Sequence, residues 1–146
     1  CDIACLTKDF QFTYQLLHMY SHLFSTRNNF KQFFDYYYLL KQGASDVEKQ
    51  QCRILFKSLG VFKFASGIMW IMTSVLGLNE KFLITEPNAA IGREILSEAL
   101  LYGKFSNGKK KMQLEQLLMN FRLLRFFPFD IISRPFFLVR CKIEGN

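Results

Sequence analysis

Apolar residues recur three and four apart along nearly the whole chain, and the alternation of a half-buried strand is almost absent, so the pattern predicts helices throughout. Asp9 reads as the cap of a first helix reaching to about Phe24, and Asn28 or Asn29 as the cap of a second that Gly43 closes. Ser45 and Glu48 have the spacing of a capping box ahead of DVEKQQCRILFKSLG, with Gly60 at that helix's end. From Gly67 to Leu78 the chain is almost wholly apolar. That run falls short of the roughly 20 residues a membrane helix needs, so it predicts a core helix ending near Gly77. LNEKFLITEP reads as a loop, with Pro87 opening a helix through AAIGREILSEALLYG. The polar segment KFSNGKKK turns at Asn107-Gly108; MQLEQLLMNFRLLRFF then runs to Pro128, and DIISRPFFLVRCKI gives a short helix around Pro135. The expected fold is all-α, an irregular bundle of about seven helices, with 1–146 a single helical domain.

Composition sharpens this picture in three places. A chain of 146 residues that is 50% hydrophobic can bury a core without disulfides or metal. Its 17 Phe, six Tyr and one Trp add packing area and read mainly as core. The four cysteines, at 1, 5, 52 and 141, form no CxxC pair, which predicts free thiols and a cytoplasmic location. No signal peptide precedes the helices, and Cys rather than Met at position 1 predicts a longer parent protein. The net charge of +7 is uneven: basic and acidic residues balance in 1–50, whereas nine basic and three acidic residues lie in 101–146. A basic end of this kind is either a solvated face or a surface for phosphates.

Two local patterns invite chemistry. Cys1, Cys5, His18 and His22 have the bare ligand spacing of a Cys₂His₂ zinc finger. The finger's small core is out of register, however, because Asp9 and Gln15 stand where an aromatic and a leucine belong, with Phe10 and Leu16 one residue away. The expectation is therefore no metal, with Cys5 buried and both histidines hydrogen-bonded in the bundle. The second pattern is the run from His18 and His22 to Lys31, Gln32 and Asp35, in which each i,i+4 pair shares a helix face. Motifs for phosphate loops, dinucleotide binding, zinc proteases and serine hydrolases are absent, and no DxD pair is present to hold magnesium.

The residues that carry this second pattern extend into a longer resemblance. LHMYSHLF followed by NFKQFFDYYYLL is similar to the H-x-x-x-H … L-R-Q-x-x-D-W-A-x-x-L stretch of a family of bacterial nucleotidyltransferases with a polymerase-β-like catalytic fold. Leu59-Gly60-Val61-Phe62-Lys63-Phe64 resembles its L-G-L-x-x-F, and Leu76-Gly77-Leu78 its L-G-L. Leu101 to Phe105 looks like its G-N-F-G turn, and Arg125 to Pro135 like its R-x-x-P-x-E … x-P. The match covers the family's C-terminal helical half only; the G-S-x-x-D-x-D strand-turn and third carboxylate have no counterpart. The sequence departs at Lys31, where the family has Arg, at Tyr36 for Trp and at Lys104 for Asn. An ammonium at 31 lacks the planar fork of a guanidinium.

The resemblance implies a helical accessory domain that lines the acceptor-substrate side of a nucleotidyltransferase and is inactive alone. His18, His22, Lys31, Gln32 and Asp35 would form its polar wall, with Asp35, fixed by Lys31, accepting the acceptor hydroxyl's proton. A buried structural ion pair is the alternative reading of Lys31 and Asp35. Mg²⁺ and a nucleoside triphosphate would belong to the catalytic half, joined in cis or in trans, and not to this chain. The competing expectation is an interaction module in which Lys104, Lys109, Lys110, Lys111, Arg122 and Arg125 contact nucleic acid or an acidic partner. Neither reading involves a membrane.

Overall fold

The computed structural model describes residues 7–23 and 30–104, which contacts group within a compact unit bounded by Cys1–Lys104. Five α-helices and no strand make up the described residues: α1 (Lys8–Leu23), α2 (Phe30–Lys41), α3 (Asp46–Ser58), α4 (Phe62–Ser74) and α5 (Ala89–Lys104). A single 3-10 turn, Glu80–Phe82, interrupts the loop between α4 and α5. The all-α class therefore holds for the described residues. The two further helices expected over 112–127 and 130–143 lie outside the described residues.

Local signals explain where the helices begin and end. Ser45 caps α3: its side chain accepts from the Glu48 N–H while the Glu48 carboxylate accepts from the Ser45 N–H, closing the expected capping box. The bond from the Ser45 N–H foremost, and a second donated by the Ser45 hydroxyl to the same carboxylate oxygen, hold the Glu48 carboxyl below its ordinary range. At the other end Gly60 takes φ +73°, so that its own N–H reaches the Lys57 carbonyl and the Val61 N–H reaches that of Phe56. A side chain is strained at that φ, which is why a glycine ends this helix. Asp9 is not the cap of α1. It lies in the first turn, where Gln11 already donates to the Thr7 carbonyl, and the negative charge favours the helix's N-terminal dipole instead.

Packing links the helices in an irregular chain: α1 rests on α2 and α3, α3 on α4, and α4 on α5. Phe12, Leu16 and Met19 of α1, Phe33, Tyr36 and Leu40 of α2, and Cys52 and Phe56 of α3 are buried. The apolar run read as a core helix is one: Phe64, Ala65, Ile68, Met69, Ile71 and Met72 of α4 are nearly inaccessible. No helix of the described residues is long and apolar enough to cross a membrane. Helices α4 and α5 meet through glycine. A Cβ on Gly92 would stand 2.9 Å from the Gly67 carbonyl, so each helix presents backbone to the other.

Candidate functional site

The buried stripes of α1 and α2 leave the predicted polar residues on the outside. On α1, positions 12, 16 and 19 face the core, which turns 10, 14 and 18 to solvent with His22 half-buried. These four carry rings at i,i+4 spacing, and the rings form a ladder. Phe10 and Tyr14 stack with centroids 6.1 Å apart, Tyr14 and His18 stack at 6.4 Å, and His18 meets His22 edge-on at 4.5 Å. Phe10 and Tyr14 keep 49% and 60% of their surface exposed. Part of the aromatic content read as core is thus surface.

Helix α2 repeats the arrangement. Phe33, Tyr36 and Leu40 turn inward, while Phe34 and Tyr38 remain 48% and 64% exposed. Lys31 and Asp35 lie exposed on this helix and Gln32 is half-buried. The Lys31–Asp35 pair is therefore not the buried structural ion pair of the alternative reading. Both groups keep their hydration, and either can meet a partner without first being dehydrated by the fold. Among the basic residues of the competing reading, Lys104 closes α5 and its side chain is not described; Lys109, Lys110, Lys111, Arg122 and Arg125 lie outside the described residues.

Cys52 is fully buried on α3, its thiol 3.7 Å from the Asp9 carbonyl. Burial, helped by the charge of Asp9, pushes that thiol up to about 11, so it stays protonated and unreactive at neutral pH. Iodoacetamide should leave the Cys52 peptide unlabelled in the native protein and label it fully in denaturant. Native labelling of that peptide would show the thiol to be accessible. Of the zinc-finger quartet, Cys1 and Cys5 lie outside the described residues. Among the described residues no group of three His, Cys, Asp or Glu side chains stands close enough to hold a metal.

A different polar location was not read from the sequence. Arg53, Phe62, Ser66, Thr85, Glu86, Pro87 and Asn88 line a cavity of about 470 Å³ where α3, α4 and the start of α5 meet. None of the five predicted wall residues lines it. Arg53 is 31 residues from the Ile84 carbonyl that its Nε engages, so no local spacing announces the contact. The nearest sequence signal is Pro87, which predicts a helix start and no site.

Comparison of the chain with protein-family models, with curated proteins and with solved structures finds no match.

Proposed function

We propose that this chain is a helical binding module that performs no chemistry alone and presents the outer faces of α1 and α2 to the catalytic half of a nucleotidyltransferase-like protein, lining its acceptor side. The observation that carries the reading is the double outward display. Two consecutive helices each bury one stripe and expose rings beside polar groups, with Tyr14 and His18 on α1 and Lys31, Phe34, Asp35 and Tyr38 on α2. Exposed aromatic surface rimmed by polar residues is characteristic of interaction sites, because leaving large rings in water has no structural benefit. Asp35 would accept a hydrogen bond from the acceptor hydroxyl, with Gln32 and His18 completing the polar wall. The buried free thiol of Cys52 suits the cytoplasm.

A photo-crosslinking residue in place of Tyr14, used in the native host, tests this reading. Capture of a protein bearing a G-S-x-x-D-x-D strand-turn is the expected result. Capture solely of proteins without such a turn, or nucleotide turnover by the isolated chain with Mg²⁺, would overturn it. A companion stability measurement addresses the exposed pair. Asp35→Asn and Lys31→Met should each shift the urea-melting free energy by less than about 1 kcal/mol, the scale of a solvated surface pair. Losses of roughly 3–5 kcal/mol, as for a buried pair left half-broken, would remove both residues from the wall.

The ring ladder of α1 together with the net charge of +7 favours one second reading, a sequence-independent single-strand binder in which bases stack on exposed rings. Binding to single-stranded DNA that weakens steeply with salt, and that Tyr14→Ala impairs, would select it over the first.

A further inference from the structure

We propose that the cavity at the start of α5 is a binding site for the phosphate group of a small organic phosphate. This inference uses none of the α1 and α2 wall residues and stands independently of the function proposed above.

Its first support is an arginine held in place by uncharged oxygens. Arg53 rises from the middle of α3, half-buried; its Nε donates to the Ile84 carbonyl and its Nη1 lies 3.5 Å from Gln50 Oε1. Both partners are uncharged oxygens, so the guanidinium is oriented but its charge is not neutralised by them. Ile84 is fully buried and anchors the loop that carries Thr85, Glu86 and Pro87 past this side chain. The fork is thereby fixed beside the cavity, and a guanidinium so fixed suits phosphate oxygens.

The second support is the end of α5. Asn88 lines the cavity and caps the helix, its Oδ1 accepting from the Ile91 N–H, while its own N–H is tied to the Ser66 carbonyl at 2.9 Å. The first-turn amides of Ala89 and Ala90 have no intrahelical acceptor, and the positive end of a 16-residue helix dipole lies at this corner. Anions are favoured in such a position.

The third is an orphaned hydroxyl, independent of the helix end. Thr85 lines the cavity, is only 4% exposed, and its Oγ1 is buried with no hydrogen-bond partner. A buried hydroxyl left unpaired costs stability, and a rotation of the Thr85 side chain toward a phosphate oxygen in the cavity would give it the acceptor it lacks. A guanidinium, a helix start and a hydroxyl all belong to residues that border this one cavity, and three kinds of donor suit an oxyanion with several acceptor oxygens, as phosphate has. The volume of about 470 Å³ exceeds what a bare phosphate fills, leaving room for an organic portion against Phe62 and Pro87. Glu86 also lines the cavity and is exposed. Its carboxylate repels phosphate at close range, so the phosphate belongs on the Arg53 and Asn88 side, with Glu86 accepting from a hydroxyl or ammonium on the organic portion.

The test is a ¹H–¹⁵N NMR titration of the full chain with inorganic phosphate at constant ionic strength, with acetate as a parallel arm. Saturable shifts at the Ala89 and Ala90 amides and the Arg53 Nε–H are expected, weaker with acetate, and lost in Arg53→Met. Because Arg53 also ties down the loop, Asn88→Asp provides the second variant: it keeps a capping oxygen but adds a negative charge, and should weaken phosphate by at least about tenfold. Glu86→Gln should tighten it. Unsaturable shifts spread over surface lysines, undiminished affinity in Asn88→Asp with the rest of the spectrum intact, or acetate binding as tightly as phosphate would each overturn the assignment.

Discussion

Gly92→Ala is expected to lower the stability of the fold by roughly 1–3 kcal/mol, the usual cost of overpacking, even though alanine is the better helix former by about 1 kcal/mol. The added Cβ would lie 2.5 Å from Trp70 Cε3 and 2.9 Å from the Gly67 carbonyl oxygen. The indole, half-buried and facing Arg93 at 5.7 Å, can swing aside, but the Gly67 carbonyl belongs to a buried helix and moves only if the two helices separate. Gly67→Ala should cost less. Its nearest obstacles, Ile91 Cγ2 at 2.7 Å and Ile95 Cδ1 at 2.8 Å, are side-chain atoms, and the nearest backbone atom, the Gly92 nitrogen, is farther off at 3.2 Å. Urea denaturation of both variants gives the order directly. An unchanged or higher midpoint for Gly92→Ala would mean that α4 and α5 do not touch through backbone. The substitution should also move the start of α5, and with it Asn88 and the cavity beside Arg53.

How much of this was legible depended on the distance over which each signal acts. The capping box of Ser45 and Glu48 and the glycines at 43, 60 and 77 depend on neighbours within a turn, and the sequence shows them as the structure does. Gly67 and Gly92 carry no such local signal, because their role arises only when two helices cross at residues 25 apart in sequence. Asp9 misled for a related reason. An acid at a helix start can serve as cap or as first-turn charge, and the polar Thr7-Lys8-Asp9 segment does not discriminate between them. The predicted wall residues with described placement do lie on the helices expected for them, and spacing alone gives their shared faces. What spacing could not give was the exposure of so many rings: Phe10, Tyr14, Phe34 and Tyr38 look like core by composition, and only the inward turn of Phe12, Leu16, Phe33 and Tyr36 displaces them.

Alkaline unfolding is the other large effect expected, and it originates in the contact region of α1, α2 and α3. Tyr36 is fully buried with its Oη unpartnered, and burial, reinforced by the charge of a Cys52 thiolate, raises its phenol well above the ordinary 10.0. Cys52 is pushed from 9.0 to about 11, chiefly by burial. Both groups hold their protons more tightly in the fold than in the unfolded chain. Their contribution is therefore complete below the unfolded values and is lost as pH rises through the folded ones. For Cys52 that window runs from 9.0 to about 11, and at about 1.4 kcal/mol per unit it amounts to about 3 kcal/mol. Tyr36 adds to the loss only above 10.0. Urea midpoints followed from neutral pH into this range should fall accordingly, with Cys52→Ala flattening the decline although its cavity lowers stability at neutral pH. Tyr36→Phe should do the opposite at neutral pH, raising stability by about 1–3 kcal/mol because it deletes a buried hydroxyl that bonds to nothing. If Tyr36→Phe instead destabilises at neutral pH by a similar amount, the phenol has a partner, and its place in the alkaline transition must be withdrawn.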